Sequence, residues 1–230
     1  MRNGTRNPMN GLSANLRGLA LTYSRNRYST LFYTVLLTLV AVPILSAFKF
    51  SGILIESFLA ANLLAAIMPF SGVRKRPYLL LGMVAIWLVR PLTAWLGNPV
   101  LSATTLAIWT VIGMLAAVGA LRFAMHASKV DPEHLYAALS AYLLAGIYFG
   151  LLYWVLEQAV PGTFTASRPF SQAGAIYFSF VTLATLGYGD IAPQGDIARG
   201  IAIIEGVGGQ LFLAVLVARL VSLYSKPADN

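Results

Sequence analysis

Cysteine is absent from the 230 residues, and charge is scarce: Asp, Glu, Lys and Arg together make up 10%. Without a thiol there is no disulfide and no thiolate chemistry, and the redox compartment leaves no mark on the sequence. A charged fraction far below the roughly 25% of soluble domains excludes an ordinary water-soluble fold. Histidine is nearly missing as well. The only two, His126 and His134, flank one loop without other ligands nearby. They are read as incidental rather than as a pH sensor or a metal site. There is no His-Glu-x-x-His, no phosphate-binding loop and no paired His, so an enzyme is not expected. A cleavable signal is not apparent: the first apolar run begins near Leu31, after a long basic leader, without a small-residue cleavage pattern.

What is present is hydrophobic. Apolar residues make up 58% of the chain, and runs near 20 residues recur, the length that suits a bilayer core of about 30 Å. The reading is an all-α membrane protein with six transmembrane helices, at 29–48, 52–70, 77–97, 101–125, 134–157 and 196–225, and a re-entrant segment at 171–190. Turn signals divide them: Ser51-Gly52, Ser71-Gly72, Gly97-Asn98-Pro99, Asp131-Pro132 and Pro161-Gly162. Residues 1–28 form a basic cytoplasmic leader. Leu12, Leu16, Leu19 and Tyr23 recur there at helical spacing, as in a helix lying on the membrane surface or in a solvated arm.

Orientation follows from the cations. With the N-terminus in the cytoplasm, Lys49, Arg90, Arg168 and Arg199 fall outside and the other twelve of the 16 Lys and Arg fall inside. This obeys the positive-inside rule. It explains a net charge of +8 as membrane topology, so no nucleic-acid partner is expected. Both termini are then cytoplasmic, in a multi-pass protein of the cell membrane, and 158–195 lies outside.

Within that outer segment stands Thr185-Leu186-Gly187-Tyr188-Gly189-Asp190. Successive carbonyls can point the same way only where backbone conformations alternate in hand, and Gly takes positive φ without steric cost. Gly187 and Gly189, with Tyr188 between them, fit that need. A ring of such carbonyls can replace the water shell of a desolvated cation. The Thr185 hydroxyl adds an oxygen at the inner end, Tyr188 packs outward as a spacer, and Asp190 sits at the outer mouth. Before it, Ala173 to Ala184 is too short to span. Its C-terminal dipole end would aim partial negative charge at a cation.

This sequence resembles the pore region of the potassium-channel family, shared by its two-helix and six-helix members. The likeness is to the six-helix bacterial type with a tetrameric pore module. It implies a K⁺-selective channel. K⁺ is the permeant ion, coordinated at Thr185, Leu186, Gly187 and Tyr188, with no organic cofactor. The family closes the pore with four copies, so three identical subunits and the lipid bilayer are the expected partners. The domains implied are the leader at 1–28, a four-helix voltage-sensor-like domain at 29–130, and a pore domain at 131–230. Tyr177 and Phe178 would join an aromatic collar behind the filter. Val181 stands where some bacterial relatives carry a bracing carboxylate. Glu157, at the outer end of the fifth helix, is the substitute: like a similarly placed Glu in six-helix relatives, it would accept backbone N–H groups of the outer loop.

In the sixth helix, Gly208-Gly209 matches the glycine hinge of simpler members in spacing, with Gly209 in register; close packing on the pore helix is the other reason for the pair. Gln210, Leu213, Ala214, Val217, Val221 and Tyr224 fall on one face. Gln210 and Leu213 are assigned to the cavity, and Val217 and Val221 to an apolar constriction able to gate by dewetting. Glu205 is expected to be buried behind the filter, its partner unnamed. Asp196 is read as the cap of the sixth helix.

Six-helix relatives often sense voltage through a fourth helix with Arg at every third position. Here that helix carries only Arg122, at its cytoplasmic end, so steep voltage gating is not expected. Arg90 and Glu56 lie at comparable depth, and pair or snorkel independently. The sequence ends within a few residues of the sixth helix, so gating through a cytosolic ligand-binding domain is not expected. Alternatives are a non-conducting or regulatory pore-family subunit and a weakly selective cation channel. A K⁺ transporter fits less well, since related transporters carry four imperfect filter copies in one chain.

Overall fold

A bilayer offers no water to backbone N–H and C=O groups, and a helix satisfies them internally. The computed structural model describes residues 26–48, 52–67, 99–126 and 131–224, with isolated residues between 81 and 97. Its helices are α1 (Arg27–Ala47), α2 (Gly52–Ile67), α3 (Pro99–Met125), α4 (Pro132–Ala159), α5 (Gln172–Leu183) and α6 (Asp196–Tyr224). Two short strands, β1 (Phe164–Ala166) and β2 (Ile191–Pro193), pair antiparallel, with Phe164 opposite Pro193 and Ala166 opposite Ile191. They clip together the two ends of the segment that holds α5 and the Gly-rich loop.

Among the described residues four helices, α1, α3, α4 and α6, are long and apolar enough to cross a membrane. At 16 residues, α2 is shorter. The helix expected at 77–97 lies mostly outside the described residues, as do most of the leader and Arg90, so the Arg90–Glu56 pairing falls there too. Glu56 itself is half-buried on α2 and shares a small gap with Trp87, Trp109 and Gln172.

Local chemistry sets the boundaries. Pro132 opens α4 where its missing N–H costs nothing, and the Asp131 carboxylate accepts from Glu133 N at 3.3 Å. The Glu133 carboxylate in turn accepts from Tyr28 N at 2.9 Å and Ser29 N at 3.3 Å. An acid of α4 thereby caps the free N–H groups that open α1. The His134 ring stacks on Phe123 at 4.4 Å, and Phe123 stacks on Tyr28 at 4.5 Å. His126 Nδ1 lies 2.7 Å from the Arg122 carbonyl. Among the described residues no three His, Cys, Asp or Glu converge as metal ligands.

One hydrophobic core joins α1 to α4, through Leu31, Val35, Leu63, Trp109, Leu144 and Leu151 among others. A second, smaller core surrounds α5: Tyr153, Phe164, Ala175, Phe178 and Ala198. α5 lies close on α4 because Gly150 has no side chain; a Cβ there would stand 2.5 Å from the Ile176 Cα. α6 buries only a narrow stripe, with Glu205 and Gly209 covered and Phe212 and Leu216 half-covered. The rest of this apolar helix is exposed in the single chain, including Ile203, Ile204, Val207 and Leu211.

Candidate functional site: the loop after the short helix

α5 starts at an N-cap, Ser171, whose side chain accepts from Gly174 N at 3.1 Å. It ends at Leu183, and the chain then turns on the helix's last carbonyls. Thr185 N donates to Thr182 O at 3.0 Å, and Leu186 N to Val181 O at 2.9 Å. The following loop is thus hung from the final turn of α5, at the negative end of its dipole.

Handedness alternates along that loop. Thr185, Gly187 and Gly189 have φ of 56°, 58° and 77°, while Leu186 and Tyr188 between them keep negative φ. The two glycines were legible as positive-φ positions. Thr185 was not, because the only residue signal for positive φ is Gly or Asn, and Thr is neither. Residues 184–190 are all exposed in the single chain. A Cβ on Gly187 or Gly189 meets nothing within 4 Å, so conformation and not space requires glycine there.

The residues around the loop divide between two environments. Tyr177 is half exposed and stacks nearly parallel to Tyr188, 8° between planes and 6.4 Å between centroids. Its hydroxyl faces the Asp190 carboxylate. Phe178 turns the other way, edge-on to Tyr153 at 5.1 Å and to Phe164 at 5.3 Å. Val181 is buried. Glu157 takes Gly162 N at 2.9 Å on one oxygen and Phe164 N at 3.0 Å on the other. It thereby fixes the turn that leads into β1, and β1 pairs with the strand following Asp190.

Behind the loop lies a cluster that sequence reasoning left without partners. Glu205 of α6 is 1% exposed. Tyr153 Oη of α4 donates to its carboxylate at 2.6 Å, and Ser179 Oγ of α5 contacts its other oxygen. Ser179 Oγ also lies 2.6 Å from the Gly146 carbonyl. Tyr142 Oη reaches the Leu183 carbonyl at 3.3 Å. The available signal was a lone acid and a lone Ser in apolar helices; their meeting required the fold.

Gly209 faces this same region. A Cβ on it would stand 2.9 Å from Leu183 O and 2.8 Å from Leu183 Cδ1, whereas one on Gly208 meets nothing within 4 Å. Close packing on α5 is therefore one reason for glycine at 209. Gln210, Leu213, Val217 and Val221 are exposed in the single chain. Asp196 is the first residue of α6 rather than its cap: the first helical bond runs from Arg199 N to the Gly195 carbonyl. Its carboxylate lies 4.0 Å from Arg199, an exposed pair.

Comparison with known proteins bears on this same half of the chain. The family described as "Ion channel" matches residues 138–226, which contain α5, the loop and α6. An inward rectifier potassium channel, Kirbac3.1 of Paramagnetospirillum magnetotacticum, is 34% identical over 90 residues, covering 37% of this chain and 28% of the relative. Two pore potassium channel c of Oryza sativa subsp. japonica is 37% identical over 91 residues, covering 39% of this chain and 18% of the relative. Protein LctB of Bacillus caldotenax is 31% identical over 100 residues, covering 40% of this chain and 74% of the relative. The chain thus spans only about a quarter or less of the first two relatives' length. No solved structure matches it significantly. A loop of alternating hand, hung from a short helix inside a stretch that aligns over most of LctB, leaves one assignment: the chain belongs to the ion channel family, on its potassium-channel pore side.

Proposed function

We propose that this protein is a K⁺-selective channel of the cell membrane in which four copies each lend residues 185–189 to one axial filter. The observation that carries this reading is the alternation of φ at Thr185, Gly187 and Gly189 in a loop left bare by its own chain. Alternating hand lets consecutive carbonyls point one way, and a ring of them can replace the hydration of a cation. Thr185, Leu186, Gly187 and Tyr188 coordinate the permeant ion, and Asp190 lies at the mouth. Tyr177, Phe178, Val181 and Glu157 support the loop. A single chain cannot close a ring, and cyclic symmetry closes one with a single repeated interface. The exposed apolar flanks of α6 supply surface for that interface. Gln210 and Leu213 then face the cavity, and Val217 and Val221 its inner constriction. Residues 131–230 form this pore domain, and 29–130 a domain of four helices, giving six spans with both termini in the cytoplasm.

A liposome flux assay tests the reading. Purified protein is expected to pass K⁺ and exclude Na⁺, with block by Ba²⁺. Equal Na⁺ and K⁺ flux overturns selectivity. Retention of K⁺ selectivity in Gly187→Asp overturns the assignment of the filter.

A further inference from the structure

Among the described residues, Glu205 is the only buried side chain of the Asp, Glu, Lys, Arg and His types. A carboxyl inside a membrane protein is costly, and an aliphatic side chain would fill the same space without that cost. Its presence calls for a reason in what it holds. Both oxygens are taken by hydroxyls from other elements, Tyr153 on α4 and Ser179 on α5. Ser179 also touches the Gly146 carbonyl of α4 at 2.6 Å. Three helices therefore meet at one polar point.

That point lies within one helical turn of the carbonyls from which the filter hangs. Ser179 is two residues before Val181 and three before Thr182, whose carbonyls hold Leu186 N and Thr185 N. On α6, the residues beside Glu205 continue the contact. A Cβ on Gly206 would stand 3.7 Å from Thr182 O, and one on Gly209 2.9 Å from Leu183 O. A turn of α5 that slides or rotates takes the filter's first two amides with it. Apolar contacts alone permit such sliding, whereas directional hydrogen bonds fix height and rotation together.

The geometry points to Glu205 as a positioning residue for ion selection: through Ser179 and Tyr153 it locks α5 in register with α6 and so sets the diameter of the carbonyl ring. This rests on the channel reading above. It names a residue remote from the ion, on a different helix from the filter, that decides how well the filter discriminates.

The test measures the K⁺/Na⁺ permeability ratio and Ba²⁺ block in liposomes, on tetramer isolated by size. Glu205→Leu strands the buried Tyr153 hydroxyl and leaves Ser179 only the Gly146 carbonyl, and each unmade buried hydrogen bond is worth about tenfold in an equilibrium. The permeability ratio and the Ba²⁺ affinity are expected to fall by about that factor. Glu205→Gln is expected to restore both to within about twofold, because its amide oxygen accepts from Tyr153 while its NH₂ donates to Ser179 and frees that hydroxyl for Gly146. Tyr153→Phe removes its one bond to Glu205, and Ser179→Ala the contacts of its hydroxyl with Glu205 and Gly146, both with little change of volume, and intermediate losses are expected. Wild-type ratio and block in isolated Glu205→Leu tetramer overturn the inference, even if yield falls. Should that variant not assemble, the same outcome in Ser179→Ala overturns it. A wild-type protein without selective flux overturns the channel reading and this one together; a selective wild type with unmoved variants overturns this one alone.

Discussion

The two adjacent glycines of α6 differ in what surrounds them, and that difference yields a sharp prediction. Gly208 faces open space in the single chain, and Gly209 faces the Leu183 carbonyl at 2.9 Å from where a Cβ would be. Gly208→Ala is expected to be tolerated, gaining up to about 1 kcal/mol of helix propensity. Gly209→Ala is expected to cost about 1–3 kcal/mol by pushing α5 away from α6, and to weaken Ba²⁺ block because the proposed filter hangs from that end of α5. Thermal unfolding of the purified protein, read beside Ba²⁺ block, separates the two variants. A hinge role for Gly209 predicts altered open probability with unaltered block. The glycines of the proposed filter test a different cost. Nothing crowds a Cβ at Gly187, but φ there is 58°. Gly187→Ala is expected to cost about 1–2 kcal/mol per chain through backbone conformation alone. In the proposed ring of four chains it recurs four times, so its effect on selective flux is expected to exceed its effect on the stability of one chain.

At the scale of elements, α1 depends on an acid that belongs to another helix. Glu133 receives Tyr28 N and Ser29 N, so it acts as a cap supplied in trans across more than a hundred residues of sequence. Glu133→Ala is expected to destabilise the α1–α4 contact by about 1–2 kcal/mol, with Glu133→Gln less harmful because its amide oxygen still accepts. Amide exchange at the start of α1 reports this locally. For α3, the only charge is Arg122 in its last turn. One elementary charge crossing the whole field is worth about 2.3 kcal/mol per 100 mV, and Arg122 lies at the helix end, where it crosses little of it. A shallow conductance–voltage relation in symmetric K⁺ is expected, and a steep one would count against the assignment. The helices themselves were largely legible. Length, apolarity and the breakers Asp131-Pro132 and Gly97-Asn98-Pro99 placed α3, α4 and α6 within about two residues, because these signals are local. Asp196 was misread by one position, since an acid at the first helical residue and one at the cap leave the same mark in sequence. What could not be read was every bond between distant helices. Ser179 is 26 residues from Glu205 and Tyr153 is 52. No periodicity links them. The positive φ of Thr185 was hidden for a related reason: it occurs where Thr185 N and Leu186 N are held by α5 carbonyls, and the side chain of Thr carries no mark of that.

For the whole molecule, the decisive fact is that the most informative surface is the least covered by its own chain. Residues 184–190 are all exposed, and α6 buries only a stripe through Glu205 and Gly209. A lipid-facing role would explain bare Ile203, Ile204 and Val207, but not a bare Asp190 beside a loop whose conformation carries strain at Thr185. The proposed ring of copies accounts for both, since it would put the loop on an axis filled with ions and water and the flanks of α6 against the next subunit. The stoichiometry is then open to a poisoning experiment. Wild-type and Gly187→Asp chains, co-expressed in equal amounts, assemble at random. If one defective strand closes the filter, only rings built wholly of wild-type chains conduct. With four chains per ring that fraction is about one sixteenth, against about one quarter for two chains. Selective K⁺ flux near one sixteenth of the control is the expected outcome. Flux near one half would mean that each chain conducts alone, and the shared axial filter would have to be abandoned.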